Sequence, residues 1–166
     1  MAKAPRTLNV GSPCPAFVLP LDGGGTVSSD QFKGKRLVLY FYPKDDTSGC
    51  TSEAKAFSAA KTAFDKKACA ILGVSRDSVA AHEKFKKKHG LKIALGSDDK
   101  GEVTETFGVW VEKALYGRKY MGIERATFLI DEQGVIRHIW RKVKVPGHAE
   151  AVLDALADLG APKKSA

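Results

Sequence analysis

The chain contains six consecutive apolar or aromatic residues, Leu37-Val-Leu-Tyr-Phe-Tyr42, directly before Pro43. The run is too short for a typical helix, and its continuous apolar character predicts a strand that is buried on both faces. Proline cannot donate a hydrogen bond to a sheet ladder, so the strand is expected to end at Pro43. The sequence therefore predicts a central strand in a covered sheet.

The pattern changes after Gly49. Residues 51–67 carry apolar side chains at helical spacing, which predicts an amphipathic helix. Cys50 stands at the start of this helix. A cysteine is thus expected where a buried strand turns into a helix.

Strands and helices continue to alternate along the rest of the chain. Helices are predicted at residues 78–89, 100–107 and 149–159, and a flexible tail at 160–166. This order predicts an α/β three-layer sandwich with a mixed central sheet and flanking helices. No repeat or linker interrupts it, so residues 1–166 are expected to form one domain. Further strands are predicted at residues 16–19, 68–74, 93–95, 126–130 and 135–139, with turns at 22–25 and 131–134.

Composition and charge fit an ordinary globular protein. The 166 residues are 43% hydrophobic and 28% charged, which is enough to bury a core. No apolar run reaches the ~18 residues of a membrane helix, and the first residues lack the apolar run of a secretory signal. We therefore expect a cytoplasmic protein that does not associate with membranes.

The net charge of +8 comes from lysines that are scattered along predicted helices, as in residues 84–88. Without a recognised binding motif, such lysines are typical of a solvated surface. No nucleic-acid partner is expected.

Cys50 is the main candidate for chemistry. A thiol attacks as its thiolate, and the unpaired N–H groups and dipole of a helix N-terminus favour negative charge. Pro43 would shield the thiolate from water, and Thr47 would offer its hydroxyl to a bound oxygen. On the residues alone, an unreactive buried cysteine remains the alternative.

The flanking pattern adds a resemblance to a known family. Pro43-x-x-x-Thr47-x-x-Cys50 is similar to the active-site signature of peroxiredoxins. Residues 40–53 resemble the bacterioferritin comigratory protein, or peroxiredoxin Q, subfamily, and blocks at 72–75, 107–122 and 125–131 agree. The resemblance implies a thioredoxin-like fold and thiol chemistry without a metal or another cofactor.

The resemblance also implies roles for five residues. Cys50 would attack the terminal peroxide oxygen and become a sulfenic acid, while Thr47 and the Cys50 N–H would position the peroxide. Arg125 would stabilise the thiolate and the charge that develops as the O–O bond breaks. Pro43 would cover the thiolate, and Glu53 would orient Arg125. Taken alone, Arg125 fits a surface salt bridge and Glu53 a first-turn helix residue.

The sequence departs from the family pattern at the second thiol. Many relatives carry a resolving cysteine five residues after the first, where this chain has Lys55. Others carry it in the following helix, but residues 78–89 contain none, and Ser48 replaces a usual proline. Both usual positions of a resolving cysteine are therefore without a thiol.

The other two cysteines, Cys14 and Cys69, are weaker candidates for this role. If strand 68–74 runs parallel to strand 37–42, Cys69 lies some 20 Å from Cys50, beyond the ~7 Å Cα limit for a disulfide. Cys14 stands in a turn-rich segment that could move, and it stays as an alternative resolving cysteine. We expect a one-cysteine cycle in a monomer, with thioredoxin, glutaredoxin or glutathione as the external reductant.

The four histidines form no metal motif. His82 and His89 share a predicted helix but lie seven residues apart, so we expect surface imidazoles and no metal site. Asp45 and Asp46 are expected to shape the loop, because a negative charge beside a thiolate disfavours the thiolate.

These features favour a thiol-dependent peroxidase that reduces hydrogen peroxide and organic hydroperoxides. A thioredoxin-type disulfide reductase is disfavoured, because it needs a second cysteine near Cys50. A redox-sensing or holdase module that uses Cys50 oxidation as a signal is the alternative from another class.

Overall fold

The predicted central strand is present and covered on both faces. The computed structural model describes residues 8–160. All six residues of Arg36–Phe41 are buried, as a strand between two layers requires. In chain order the strands are β1 (Val18–Pro20), β2 (Thr26–Ser28), β3 (Arg36–Phe41), β4 (Cys69–Ser75), β5 (Ala94–Ser97), β6 (Trp110–Leu115), β7 (Arg118–Ile123), β8 (Ala126–Ile130) and β9 (Ile136–Trp140). The helices are α1 (Ser48–Lys66), α2 (Val79–His89), α3 (Glu102–Thr106) and α4 (His148–Asp158), with a 3-10 turn at Ser29–Phe32.

A five-stranded mixed sheet forms the centre, in the order β5-β4-β3-β8-β9. β3, β4 and β5 are parallel, while β8 pairs antiparallel with both β3 and β9. α1 and α2 connect the parallel strands, as parallel pairing requires a crossover. The carboxyl end of β3 therefore leads directly into the loop that begins α1.

Side chains of β3 alternate between two cores. Val38 and Tyr40 pack on one face with apolar residues of α1, α2 and α4. Leu39 and Phe41 pack on the other face with the β1–β2 hairpin and α3. This confirms the predicted α/β class with a mixed sheet and flanking helices.

Most predicted elements form within two or three residues of their expected bounds. The helix α2 begins after Ser78, whose side chain accepts the Ala81 N–H, and ends at Gly90 in the left-handed conformation. The helix α1 begins at Ser48, three residues earlier than predicted. The first strand is displaced from 16–19 to Val18–Pro20, and it pairs with β2 across the predicted turn.

The antiparallel ribbon β6–β7 was not predicted. Its turn contains Tyr116 and Gly117, both with positive φ, and Tyr116 is 96% exposed. The expected flexible tail lies outside the described residues except for Gly160. Among residues 8–160, no helix is both long and apolar enough to cross a membrane.

Candidate active site

Cys50 lies in the first turn of α1, immediately beyond the carboxyl end of β3. Thr47 is the N-cap, and the Thr51 N–H donates to the Thr47 carbonyl at 2.8 Å. The Cys50 N–H therefore precedes the helical ladder and remains available at the helix N-terminus. Cys50 is only 1% exposed, so its thiol is covered by the surrounding residues.

Arg125 reaches Cys50 from the segment between β7 and β8. Its Nη2 lies 3.4 Å from the Cys50 Sγ, and its Nη1 donates to the Glu53 Oε1 at 2.7 Å. The Val143 N–H donates to the Arg125 carbonyl, which fixes the backbone. A guanidinium held at two nitrogens places a rigid positive charge against the sulfur.

Gly49 allows this close approach. A Cβ at residue 49 would lie 3.2 Å from the Arg125 Nη2, tighter than ordinary van der Waals contact. Because Arg125 contacts both Glu53 and Cys50, a displacement of its guanidinium would disturb both contacts. The sequence offered no sign of this requirement, since the Gly49 backbone is helical.

Burial raises the pKa of Glu53 to about 7, although the Arg125 charge and hydrogen bond act in the opposite direction. The Glu53 Oε2 is buried without a hydrogen-bond partner among the described residues. The Tyr40 hydroxyl is also buried without a hydrogen-bond partner among the described residues. Its pKa is raised well above the ordinary value, mainly by burial and then by the charges of Glu53 and Cys50. Gly73 makes room for this ring, since its Cβ would lie 2.8 Å from the Tyr40 hydroxyl.

Pro43 and Thr47 are exposed in the loop between β3 and α1. The Thr47 hydroxyl donates to the Lys44 carbonyl at 2.9 Å. To donate to a bound oxygen it would have to exchange that bond. The structure thus brings the Arg125 guanidinium into contact with both Cys50 and Glu53. Pro43 and Thr47 are exposed in the loop that precedes Cys50 in the chain.

The other two cysteines lie at the opposite end of the sheet. Cys69 pairs with Arg36 at the start of β3, and the Cys14 N–H donates to the Gly134 carbonyl in the β8–β9 turn. Burial raises the thiol pKa to about 12 for Cys69 and about 11 for Cys14. With β3 between them and Cys50, both are about 20 Å away.

The histidine prediction was wrong at two positions, because His82 and His148 are buried. The His82 Nδ1 lies 2.6 Å from the Asp45 Oδ2. The His148 Nε2 lies 2.7 Å from the Thr127 hydroxyl, and burial, with a smaller effect of Arg125, lowers the His148 pKa to about 4. Their partners lie 37 and 21 residues away in sequence, beyond the reach of local patterns.

Asp45, Asp77 and His82 place three oxygen or nitrogen atoms within 4.8 Å of one another. Hydrogen bonds occupy these atoms: the Asp77 Oδ2 accepts from the Asp45 N–H and the Ser75 hydroxyl, and Asp45 binds His82. The cluster is a hydrogen-bond network that holds the loop, as expected for Asp45.

Comparison with known proteins places this arrangement in a family. Residues 10–139 match the AhpC/TSA family. A putative peroxiredoxin Bcp of Coxiella burnetii is 50% identical over 150 residues, which cover 90% of this chain and 99% of the relative. Peroxiredoxin Bcp of Bacillus subtilis is 46% identical, over 92% of this chain and 98% of the relative. The chain belongs to the peroxiredoxins of the Bcp, or peroxiredoxin Q, branch.

Solved peroxiredoxin structures share the fold. A Xanthomonas campestris bacterioferritin comigratory protein, studied for alkyl peroxide reduction, superposes with a TM-score of 0.82 at 46% identity, over 86% of this chain and 91% of its own. A Cys-to-Ser variant of Xylella fastidiosa peroxiredoxin Q gives 0.88 at 39% identity, over 93% and 98%. The resemblance seen in the sequence is confirmed, and with it the thioredoxin-like fold of this peroxiredoxin.

Proposed function

We propose that this peroxiredoxin reduces hydroperoxides with Cys50 as the attacking thiolate. The observation that carries the proposal is the contact between the Arg125 Nη2 and the Cys50 Sγ at 3.4 Å, with Glu53 holding the other guanidinium nitrogen. A fixed cation beside a thiol at a helix N-terminus is a setting that activates cysteine nucleophiles. The Bcp relatives, and alkyl peroxide reduction in the Xanthomonas protein, support hydrogen peroxide and organic hydroperoxides as substrates.

The chemistry follows from these positions. The Cys50 thiolate attacks the terminal peroxide oxygen, an S–O bond forms and the O–O bond breaks. Sulfur is oxidised to a sulfenic acid, and the leaving oxygen departs as alkoxide or hydroxide and takes a proton from water. Arg125 and the Cys50 N–H donate to the oxygen atoms on which charge develops, and Thr47 and Pro43 complete the entrance. Glu53 orients Arg125.

An external thiol completes the cycle in this proposal. Cys14 and Cys69 lie at the far end of the sheet, well beyond the ~7 Å between Cα atoms that a disulfide allows. Thioredoxin, glutaredoxin or glutathione would attack the sulfenic sulfur, release water and leave a mixed disulfide, which a second thiol reduces. We propose that this occurs in a monomer and in a reducing compartment such as the cytoplasm, where thiols persist.

Stopped-flow oxidation tests the peroxidase. Reduced protein mixed with hydrogen peroxide should lose its Cys50 thiol rapidly, with no reaction in Cys50→Ser. Arg125→Ala should slow the reaction about 10²–10³-fold, the cost of losing a preorganised donor at a developing charge. Arg141→Ala is the matched control, because Arg141 binds Glu124 rather than Cys50. Slow oxidation of the wild-type thiol would refute the proposal.

A further inference from the structure

The β6–β7 ribbon carries most of the large apolar side chains that the described residues expose to solvent. Among residues 8–160, six large apolar or aromatic side chains are exposed, and two of them, Val10 and Val18, lie outside the ribbon. The other four, with exposed fractions from 47% to 96%, are Leu115, Tyr116, Tyr120 and Met121. Single exposed apolar residues are ordinary, whereas a cluster of them indicates contact with another surface. We call residues 113–121 the ribbon tip.

The exposed apolar residues of the ribbon tip occupy both faces of the ribbon and its turn. Leu115 lies opposite Arg118 in the register, and Tyr120, two residues further along β7, shares their face. Met121 points to the other face, because side chains alternate along a strand. Tyr116 lies in the turn between the two strands. A folded partner protein would cover one face of such a ribbon, whereas a lipid interface can surround the whole tip.

Tyr116 occupies a position that the fold itself does not favour for tyrosine. Tyr116 and Gly117 form the two-residue turn of the ribbon, with φ of +51° and +78°. Two consecutive residues of positive φ are typical of a type I′ hairpin turn, whose first position favours asparagine, aspartate or glycine. Burial offers no compensation, since Tyr116 is 96% exposed. A strained and exposed aromatic residue indicates a role outside the fold.

The charge of the ribbon tip is entirely positive. Residues 113–121 contain Lys113, Arg118 and Lys119, and they contain no aspartate or glutamate. The Glu112 carboxylate, just before the tip, lies 3.9 Å from the Lys119 Nζ, so it offsets one of these cations. The whole chain adds attraction of the same sign, because its net charge is +8. Cations beside exposed aromatic and aliphatic side chains are typical of segments that bind anionic membrane surfaces.

The base of the ribbon is fixed to the domain near the Cys50 site. Ile123 at the end of β7 is buried, and the Arg76 guanidinium lies 3.3 Å above the centre of the Trp110 ring at the start of β6. Arg125, which contacts Cys50, follows two residues after β7. Because a strand of six residues spans about 20 Å, a surface that contacts the ribbon tip lies about that far from the Cys50 site.

We propose that the ribbon tip is a docking site for a bilayer surface that carries anionic phospholipid headgroups. The aromatic and aliphatic side chains of the tip enter the boundary between headgroups and acyl chains, and Arg118 and Lys119 contact headgroup phosphates. The expectation from sequence of no membrane association rested on the lack of a membrane-spanning run and of a secretory signal, and neither bears on docking at a surface. The inference does not depend on the chemistry at Cys50.

Co-sedimentation with vesicles tests the electrostatic part of the docking. The full chain should bind vesicles of equal parts phosphatidylglycerol and phosphatidylcholine, and it should bind pure phosphatidylcholine about tenfold or more weakly. Replacing both Arg118→Glu and Lys119→Glu should lower the affinity for the mixed vesicles about thirtyfold or more. Lys33→Glu with Lys35→Glu, at two exposed lysines before β3, makes the same change of charge outside the ribbon. This control should lower the affinity no more than about threefold, because salt screens distant charges.

Tyr116→Asn separates docking from stability. Asparagine suits the turn, so the melting temperature should hold or rise, while the affinity for the mixed vesicles should fall several-fold because the aromatic ring is lost. Leu115→Ser should lower the affinity to a similar extent. Val18→Ser, at a residue of β1 that is 66% exposed, is the matched control and should bind as wild type does. Both ribbon variants should keep the wild-type rate of Cys50 oxidation by hydrogen peroxide in solution.

Several results would overturn the docking proposal. One is that wild type does not sediment with the mixed vesicles, and another is that Tyr116→Asn and Leu115→Ser bind them as wild type does. Equal losses in the ribbon and control charge variants would show attraction to the net charge alone. A wild-type dimer in light scattering that Tyr116→Asn dissociates, without vesicle binding, would make a second copy the occupant of the tip. Cys50→Ser should bind vesicles as wild type does, so failure of the proposed peroxidase reaction is a distinguishable result.

Discussion

The Arg125 guanidinium crosses directly over the backbone of Gly49, with Nη2 3.2 Å and Cζ 3.9 Å from the position of a Cβ at residue 49. The same nitrogen contacts the Cys50 Sγ at 3.4 Å. Because Gly49 has no side chain, the Arg125 guanidinium can approach the Cys50 sulfur this closely. The position of Arg125 depends on the absence of a side chain at Gly49 as well as on its contact with Glu53.

Gly49→Ala should lower activity without lowering stability. Helical Gly→Ala replacements stabilise proteins by about 0.5–1 kcal/mol, so the melting temperature should hold or rise. The added methyl group would displace Arg125 by a few tenths of an ångström or more, and we expect peroxide oxidation of Cys50 to slow about tenfold to a hundredfold. Ser52→Ala, an exposed change in the same turn, is the control. Unchanged oxidation kinetics in Gly49→Ala would show that the close approach does not matter.

Glu53 should give the protein an unusual dependence of stability on pH. Its folded pKa of about 7 is raised above the ordinary 4.5, so between these values the folded state binds the proton that the unfolded state has lost. The free energy of unfolding should therefore fall as pH rises from about 4.5 to 7, by on the order of 3 kcal/mol from this group. Urea denaturation at several pH values measures the slope. Glu53→Gln should remove this part of the slope, and an identical pH profile in the variant would contradict the assignment.

His148 should contribute the opposite slope in acid. Its folded pKa is lowered to about 4 from 6.5, so its stabilising contribution is complete above pH 6.5 and is lost as pH falls towards 4. His148→Gln, which can still bond the Thr127 hydroxyl, should flatten the loss of stability over that window. NMR titration of the imidazole gives a direct check, since a pKa near that of free histidine would refute the prediction.

Sequence patterns predicted the central sheet well because its strands are strongly apolar and because α2 is capped at both ends. β3, β8 and α2 needed only local information: a largely apolar run in each strand, then Ser78 and Gly90 at the ends of the helix. The ribbon β6–β7 was missed because it is largely exposed. Its turn places Tyr116 at positive φ, a conformation that a tyrosine rarely adopts and that its presence in the sequence therefore does not predict.

Sequence patterns alone predicted less of the candidate site than of the fold. Cys50 could be placed at a helix start from periodicity, but Arg125 lies 75 residues away from it, and only the family resemblance joined the two. The surface position predicted for His82 is wrong, and its partner Asp45 lies 37 residues away, beyond any local pattern.

The one-cysteine cycle is tested by the fate of the two distant thiols. Partial burial of Cys14 and full burial of Cys69 raise the pKa of both thiols, so both stay protonated at neutral pH and react slowly. Intact mass after one equivalent of hydrogen peroxide should show the gain of one oxygen in wild type, Cys14→Ser and Cys69→Ser alike, and dimedone should trap it. A loss of two hydrogens in wild type that Cys14→Ser abolishes would make Cys14 the resolving cysteine. That result would require the segment before β1 to move about 20 Å along the sheet, which hydrogen exchange of that segment in the oxidised protein would reveal.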